Sequence, residues 1–222
     1  MNQVTDQQII EILRKEAVPA LGCTEPVACA LACAKCKEVL GGVPERLDVL
    51  VSGNIYKNGM GVGIPGTGMV GLPIAAALGA VCGKSEYGLE VLKEVNVGDN
   101  LQRAKDMLGQ VTVSLKEDAP DKLYAEALAT KGNDTVKVII AHTHTNIVLV
   151  EKNGEEIFKR EFRLDTSKPE DKGPELSVKR IWDFVHEVDV KDIEFVLQGA
   201  EMNKAISAEG LNSEYGLQIG KT

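Results

Sequence analysis

Cys23 is the side chain whose setting best suits chemistry. It lies in the loop segment ALGCTEP just ahead of a helix, whose N-terminal amides favour a thiolate, the form that binds iron or attacks as a nucleophile. A buried small residue before a helix cap is the plainer alternative, because free cysteine is among the most buried residue types. His142 and His144 are two apart in a run that reads as a strand. Both then point to one face, a geometry compatible with a metal ion, although with no third ligand nearby polar exposure is the simpler reading. His144, near the strand end, also suits a general base or a substrate contact, because an imidazole titrates close to neutral pH. His186, in an amphipathic helix, reads as a surface residue.

Two motifs invite chemistry that their context rejects. Cys29, Cys33 and Cys36 spell C-x3-C-x2-C, the spacing by which radical S-adenosylmethionine enzymes hold a cluster from a loop. Here they sit in ACALACAKCKEVL, a strong helix, where the spacing lines the thiols along one face as core packing. Gly61, Gly63 and Gly66 match G-x-G-x-x-G. No apolar strand leads into Gly61, Pro65 lies inside the motif and Pro73 interrupts the expected helix, so a dinucleotide fold is disfavoured. A loop whose amides, with Thr67 and either Lys57 or Asn58, hold a carboxylate is the better match, and a glycine-rich turn between packed helices competes closely with it.

The elements that must position these residues follow from periodicity. Val4 to Ala17 carries a helical apolar stripe, and an Ala-rich helix runs from Val27 to Leu40, capped by Thr24 and stopped by Gly41 and Gly42. Leu47 to Ser52 reads as a strand, NIYKNGMGVGIPGTG as an irregular loop with five glycines, and Met69 to Val81 as a second buried helix. A short helix is expected at Gly88 to Glu94 and another at Asp99 to Leu108. Strand-like runs follow at Val111 to Lys116, Leu123 to Thr130, Thr135 to His142 and Asn146 to Glu151, with hairpin turns at KGND and KNG. A polar linker, TSKPEDKG, leads to helical periodicity from Leu176 to Ala208. The predicted fold class is α+β: an Ala-rich helical layer with an inserted small antiparallel β-sheet subdomain. The expected division is 1–94 for the helical region with the Cys and Gly-rich loops, 95–163 for the subdomain and 164–222 for a helical segment whose end, EYGLQIGKT, reads as a truncation.

Composition removes several partners. A net charge of −8 and a pI near 5.1 disfavour nucleic acid and anionic bilayers. The longest nearly uncharged apolar stretch, Met69 to Cys82, contains Pro73 and falls short of the roughly 20 residues that span a bilayer. The start, MNQVTDQQII, lacks the features of an export signal, and five cysteines clustered mostly in one segment fit a reducing compartment. A cytoplasmic protein is expected, with a homo-oligomer possible.

Three segments together resemble one family: ALGCTEPVACALA at 20–32, NIYKNGMGVGIPGTGMVGLPIAAALGA at 54–80 and HTNIVLVEKNG at 144–154. They are similar to the L-cysteine desulfidases, which are related to the iron–sulfur L-serine dehydratases. The resemblance implies a lyase that uses a 4Fe-4S cluster to convert L-cysteine to pyruvate, ammonia and sulfide, with L-serine dehydration as the rival activity. It implies that Cys23 is a cluster ligand; Thr24, Glu25, Lys57, Asn58, Gly66, Thr67 and Asn146 fall in the matching motifs as candidates for the side of a small amino-acid substrate, and His144, also in a matching motif, is the candidate catalytic residue on its own chemistry. Family members are longer, and their remaining cluster cysteines lie in a half that this chain lacks, so the chain alone is expected to be inactive with the cluster unassembled. A non-catalytic amino-acid-binding or regulatory module, and a scaffold subunit whose partner carries the missing half, are the alternatives from other classes.

Overall fold

The computed structural model describes residues 4–160, 176–212 and 220. The chain divides into two units, Ala20–Asp165 and Met1–Pro19 with Thr166–Thr222. The expected linker at 166–173, the boundary at 163/164 and the segment EYGLQIGKT, apart from Gly220, lie outside the described residues.

The first unit is built on a six-stranded sheet. In chain order its elements are α2 (Thr24–Leu40), β1 (Arg46–Val51), α3 (Gly53–Gly59), β2 (Gly63–Ile64), β3 (Met69–Val70), α4 (Leu72–Val81), α5 (Asn100–Met107), β4 (Val111–Leu115), β5 (Tyr124–Lys131), β6 (Asp134–Ala141), β7 (Ile147–Lys152) and β8 (Glu155–Lys159). The sheet order is β4-β1-β5-β6-β7-β8. The protein is α+β, but its sheet is mixed, because β1 pairs parallel with β4 and antiparallel with β5. The division expected at residue 94 therefore falls inside one unit. The alternating burial of RLDVLV, with Leu47, Val49 and Val51 inside, makes β1 an interior strand shared by both parts of the sequence.

Helices α2 and α4 cover one face of this sheet. Both are apolar nearly all round, as helices packed on two sides must be, and Ala28 to Ala34 of α2 are buried without exception. They approach closely because small residues meet: a Cβ on Gly79 would lie 2.1 Å from the Ala30 carbonyl oxygen, and one on Gly83 would lie 2.9 Å from the Ala34 Cβ. Cys29, Cys33 and Cys36 are fully buried in this layer, as the helical spacing predicts. Gly41 ends α2 in the left-handed conformation (φ 71°), and its amide bonds back to the Glu38 carbonyl.

Local departures from the sequence reading have local causes. The glycine-rich segment is not irregular throughout. Ser52 accepts from the Ile55 amide and nucleates the short helix α3, and β2 and β3 pair as a two-residue ladder around Pro65–Gly68. The helix expected at Gly88 to Glu94 is instead a pair of 3-10 turns over Ser85–Glu90, broken where Gly88 takes φ 53°. Strand β8 escapes a period-2 reading because all five of its residues are exposed at the sheet edge.

The second unit contains α1 (Asp6–Glu16), α6 (Val178–Glu187), α7 (Val190–Ile193) and α8 (Val196–Asn212). Thr5 and Gln8 form a reciprocal capping box at the start of α1. Ile9 and Ile10 of α1 pack with Val4 and Phe184, and Arg180, itself buried, bonds the Val4 carbonyl and Asp6. Among the described residues no helix is long and apolar enough to cross a membrane.

Candidate functional site

The residues around Cys23 come from three separated stretches of chain. Cys23, not Thr24, is the N-cap of α2, with extended backbone, and makes no side-chain cap bond. Thr24 is thereby the first helical residue, and its hydroxyl is released from capping. It lies 3.2 Å from Nε2 of His144, 120 residues further on. Gly22 enters the helix with φ 113°, a conformation that favours glycine, and a Cβ there would touch Pro65. The loop before Cys23 thus runs against the glycine-rich segment.

Glu25 is the hub. The Cys23 thiol donates to its Oε2 at 2.7 Å, and the Asn58 side-chain amide of α3 donates to its Oε1 at 3.0 Å. Burial pushes the Glu25 carboxyl up, but the bonds from Cys23 and Asn58, aided by His144 nearby, hold it below the ordinary carboxylate range. Burial, then the hydrogen bond to Glu25, raise the Cys23 thiol. The thiolate expected from the helix N-terminus is therefore not favoured, because burial, together with a carboxylate two residues on, outweighs the backbone amides. Burial lowers His144, opposed by the charge of Glu25, so the ring favours its neutral form.

The two histidines part company. Strand β6 ends at Ala141, and His142 turns the chain with φ 69°. Its Nδ1 lies 2.8 Å from Asp121 and its amide donates to the same carboxylate, whereas His144 reaches Thr24. The common strand face that their spacing suggested is not formed, because the strand stops before His142. Asp121, half-buried beside it, carried no signal in the sequence.

Of the expected substrate-side residues, Thr24, Glu25 and Asn58 gather near Cys23 and His144. The others do not join that network of bonds. Thr67 is buried and staples its own turn, donating to the Ile64 carbonyl and accepting from the Met69 amide. Asn146 donates to the Ala141 carbonyl and accepts from Arg160, fixing the β6–β7 connection. Lys57 points outward from the last turn of α3, exposed. Gly66 lines an open pocket of about 170 Å³ with Leu21, Pro65, Leu92, Val95 and Asn96. A Cβ on Gly66 would meet the Asn96 amide nitrogen at 2.5 Å.

A 4Fe-4S cluster is held by several thiolates, and the donor set can be tested against this chain. Cys23 is partly exposed and fits as one such ligand. Cys29, Cys33, Cys36 and Cys82 are buried, with Cys29 pushed up to about 12 by burial and Cys36 bonded to the Ala127 carbonyl inside the core. Among the described residues no group of three or more His, Cys, Asp or Glu is placed to hold a metal ion. Among the described residues, then, Cys23 is the one thiol placed to reach such a cluster, and the set does not complete one.

The relatives of the chain carry one name. They are UPF0597 proteins. That of Parabacteroides distasonis is 46% identical over 228 residues, covering 100% of this chain and 52% of its own length. That of Dichelobacter nodosus is 45% identical over 222 residues, covering 99% and 51%, and that of Aeromonas hydrophila 45% over 215 residues, covering 96% and 48%. The chain spans about half the length of the curated relatives it matches. No protein-family model matches it. No solved structure matches it.

Proposed function

We propose that this chain supplies the amino-acid-binding side of an iron–sulfur lyase that eliminates sulfide from L-cysteine, with L-serine as the rival substrate. The observation that carries the reading is the convergence of the three resembling segments: Glu25 of the first bonds Cys23 beside it and Asn58 of the second, while Thr24, also of the first, bonds His144 of the third. Cys23 would be the one cluster thiolate this chain provides, the others coming from the half of the relatives that it lacks.

What the chain's own residues do follows from their geometry. Glu25, ionised and 2.7 Å from the thiol, is the acceptor for the proton that Cys23 must lose to become a ligand, and Asn58 holds the carboxylate in place. His144, neutral and hydrogen-bonded by Thr24, is suited to take the α-proton of an amino acid. Loss of that proton with cleavage of the Cβ–S bond releases sulfide and leaves aminoacrylate, whose imine tautomer takes up water to give pyruvate and ammonia. The cytoplasm, where cysteines stay reduced, is the compartment that this chemistry requires.

The test is anaerobic reconstitution with iron and sulfide of this chain, its Cys23→Ser variant and the Parabacteroides distasonis relative, followed by sulfide and pyruvate assays on L-cysteine and L-serine. Turnover by the relative, with Cys23-dependent iron uptake but little turnover by this chain, is the expected pattern. A cluster-loaded relative that releases neither product from either substrate sinks the reading. The open pocket beside Gly66 favours one alternative, amino-acid binding without chemistry. L-Cysteine raising the melting temperature of iron-free chain, with no turnover in any loaded form, would support it.

A further inference from the structure

Helix α6 presents two faces of opposite fate. Phe184 and Arg180 are buried against Val4, Ile9, Ile10 and Asp6, while Val178, Ile181, Trp182 and Val185 form an uninterrupted i, i+3, i+4, i+7 stripe that remains 86%, 45%, 64% and 56% exposed. That spacing is the signature of a helix face made for burial, and among the described residues nothing in its own unit covers it. Helix α8 repeats the observation: it has no buried residue over its whole length, although Leu197, Ala200, Ala208 and Leu211 line one side and Met202 and Ile206 another. Isolated helices are marginal in water, and a helix apolar on more than one side is stable only when packed. The matched relatives are about twice the length of this chain, so roughly half of each is polypeptide that finds no counterpart here.

We propose that the Val178–Ile181–Trp182–Val185 stripe is a docking face for the half of the longer relatives that this chain does not match. This inference rests on α6 and α8 and on the relatives' length, and it stands whether or not the lyase reading holds. A tryptophan flanked by aliphatic residues is the composition of an interface hot spot, with His186 as its neighbour at a ring separation of 4.4 Å.

Trp182 is the only tryptophan in the chain, which makes it a built-in probe. The whole chain labelled with 5-fluorotryptophan is mixed with the unmatched half of the Parabacteroides distasonis relative, or fused to it if that half does not fold alone, and followed by fluorine NMR. The expected result is a shifted, solvent-shielded Trp182 resonance. Ile181→Glu or Val185→Glu should weaken the complex by about thirtyfold or more, the scale of a lost hot spot, while leaving the melting temperature of the isolated chain unchanged. A Trp182 resonance that stays solvent-exposed in a folded fusion overturns the proposal. So does a shift that appears with rising concentration of this chain alone, which assigns the face to a second copy. A large loss of stability in the isolated Val185→Glu chain also overturns it, because the face would then be covered from within.

Discussion

Replacing Gly79 by alanine sets two effects of opposite sign against each other. Removing a glycine from the interior of α4 gains about 1 kcal/mol of helix propensity. The added Cβ, however, would lie 2.1 Å from the Ala30 carbonyl oxygen and 2.7 Å from its carbon, contacts with backbone that no rotamer change relieves. Overpacking of this kind costs about 1–3 kcal/mol when side chains can give way, and a backbone clash at the crossing of two buried helices belongs at or above the top of that range. The net is a loss of about 2 kcal/mol, which in a domain of this size lowers Tm by about 4–8 °C. Thermal unfolding followed by circular dichroism is the assay. Gly199→Ala in α8, where an added Cβ meets nothing within 4 Å, is the contrasting change and should stabilise by about 0.5–1 kcal/mol. A Gly79→Ala protein with unchanged or raised Tm would refute the claim that backbone contact, and not propensity, governs the α2–α4 crossing.

Further outcomes concern the site itself. In the native, metal-free chain iodoacetamide should modify Cys23 and spare the four buried cysteines, and Glu25→Gln should speed that reaction near neutral pH by removing the carboxylate that raises the thiol; mass spectrometry against time reads both. Because the charge of Glu25 raises the His144 pKa, Glu25→Gln should lower the midpoint of the His144 ring in an NMR titration, and an upward movement contradicts the assigned proximity. Folding depresses both Glu25 and His144, so each contributes stability above its unfolded pKa that is lost as pH falls. Denaturant midpoints should accordingly begin to fall on acidification through the histidine range and fall again through the carboxylate range; His144→Asn should remove the first decline. Gly41→Ala, which forces a Cβ into a left-handed helix cap, should cost about 1 kcal/mol in the same measurement.

How far the sequence speaks depends on whether its signals are local. The long helices α2 and α4, the hairpin turns at Gly132 and at Asn153–Gly154, and the stripe of α6 follow from periodicity and from residues that tolerate positive φ. The place of β1 does not, since choosing a parallel partner in β4 is a matter of long-range packing that RLDVLV does not encode by itself. At the site, three resembling segments marked the neighbourhood but not the roles. Thr67 and Asn146 belong to turns whose backbone groups need them, while Glu25 is a thiol partner because its position on α2 turns it back toward Cys23. The parting of His142 from His144 hinges on a strand ending one residue early, a boundary that pattern reading rarely resolves.

Strand β1 is made early and satisfied late. As the chain leaves the ribosome, Leu47, Val49 and Val51 emerge well before residues 111–115 and 124–131, the two strands that will flank them. Until then β1 is an apolar ribbon with both edges open, the kind of segment that recruits the wrong neighbour. The contact between Thr24 and His144 spans 120 residues and waits for His144 to emerge, so a nascent chain can hold its local thiol–carboxylate pair early and gains the imidazole last. Protease sensitivity of ribosome-stalled chains should therefore drop only once β5 and β6 have emerged, and early protection at β1 would mean that some other partner shelters it during synthesis.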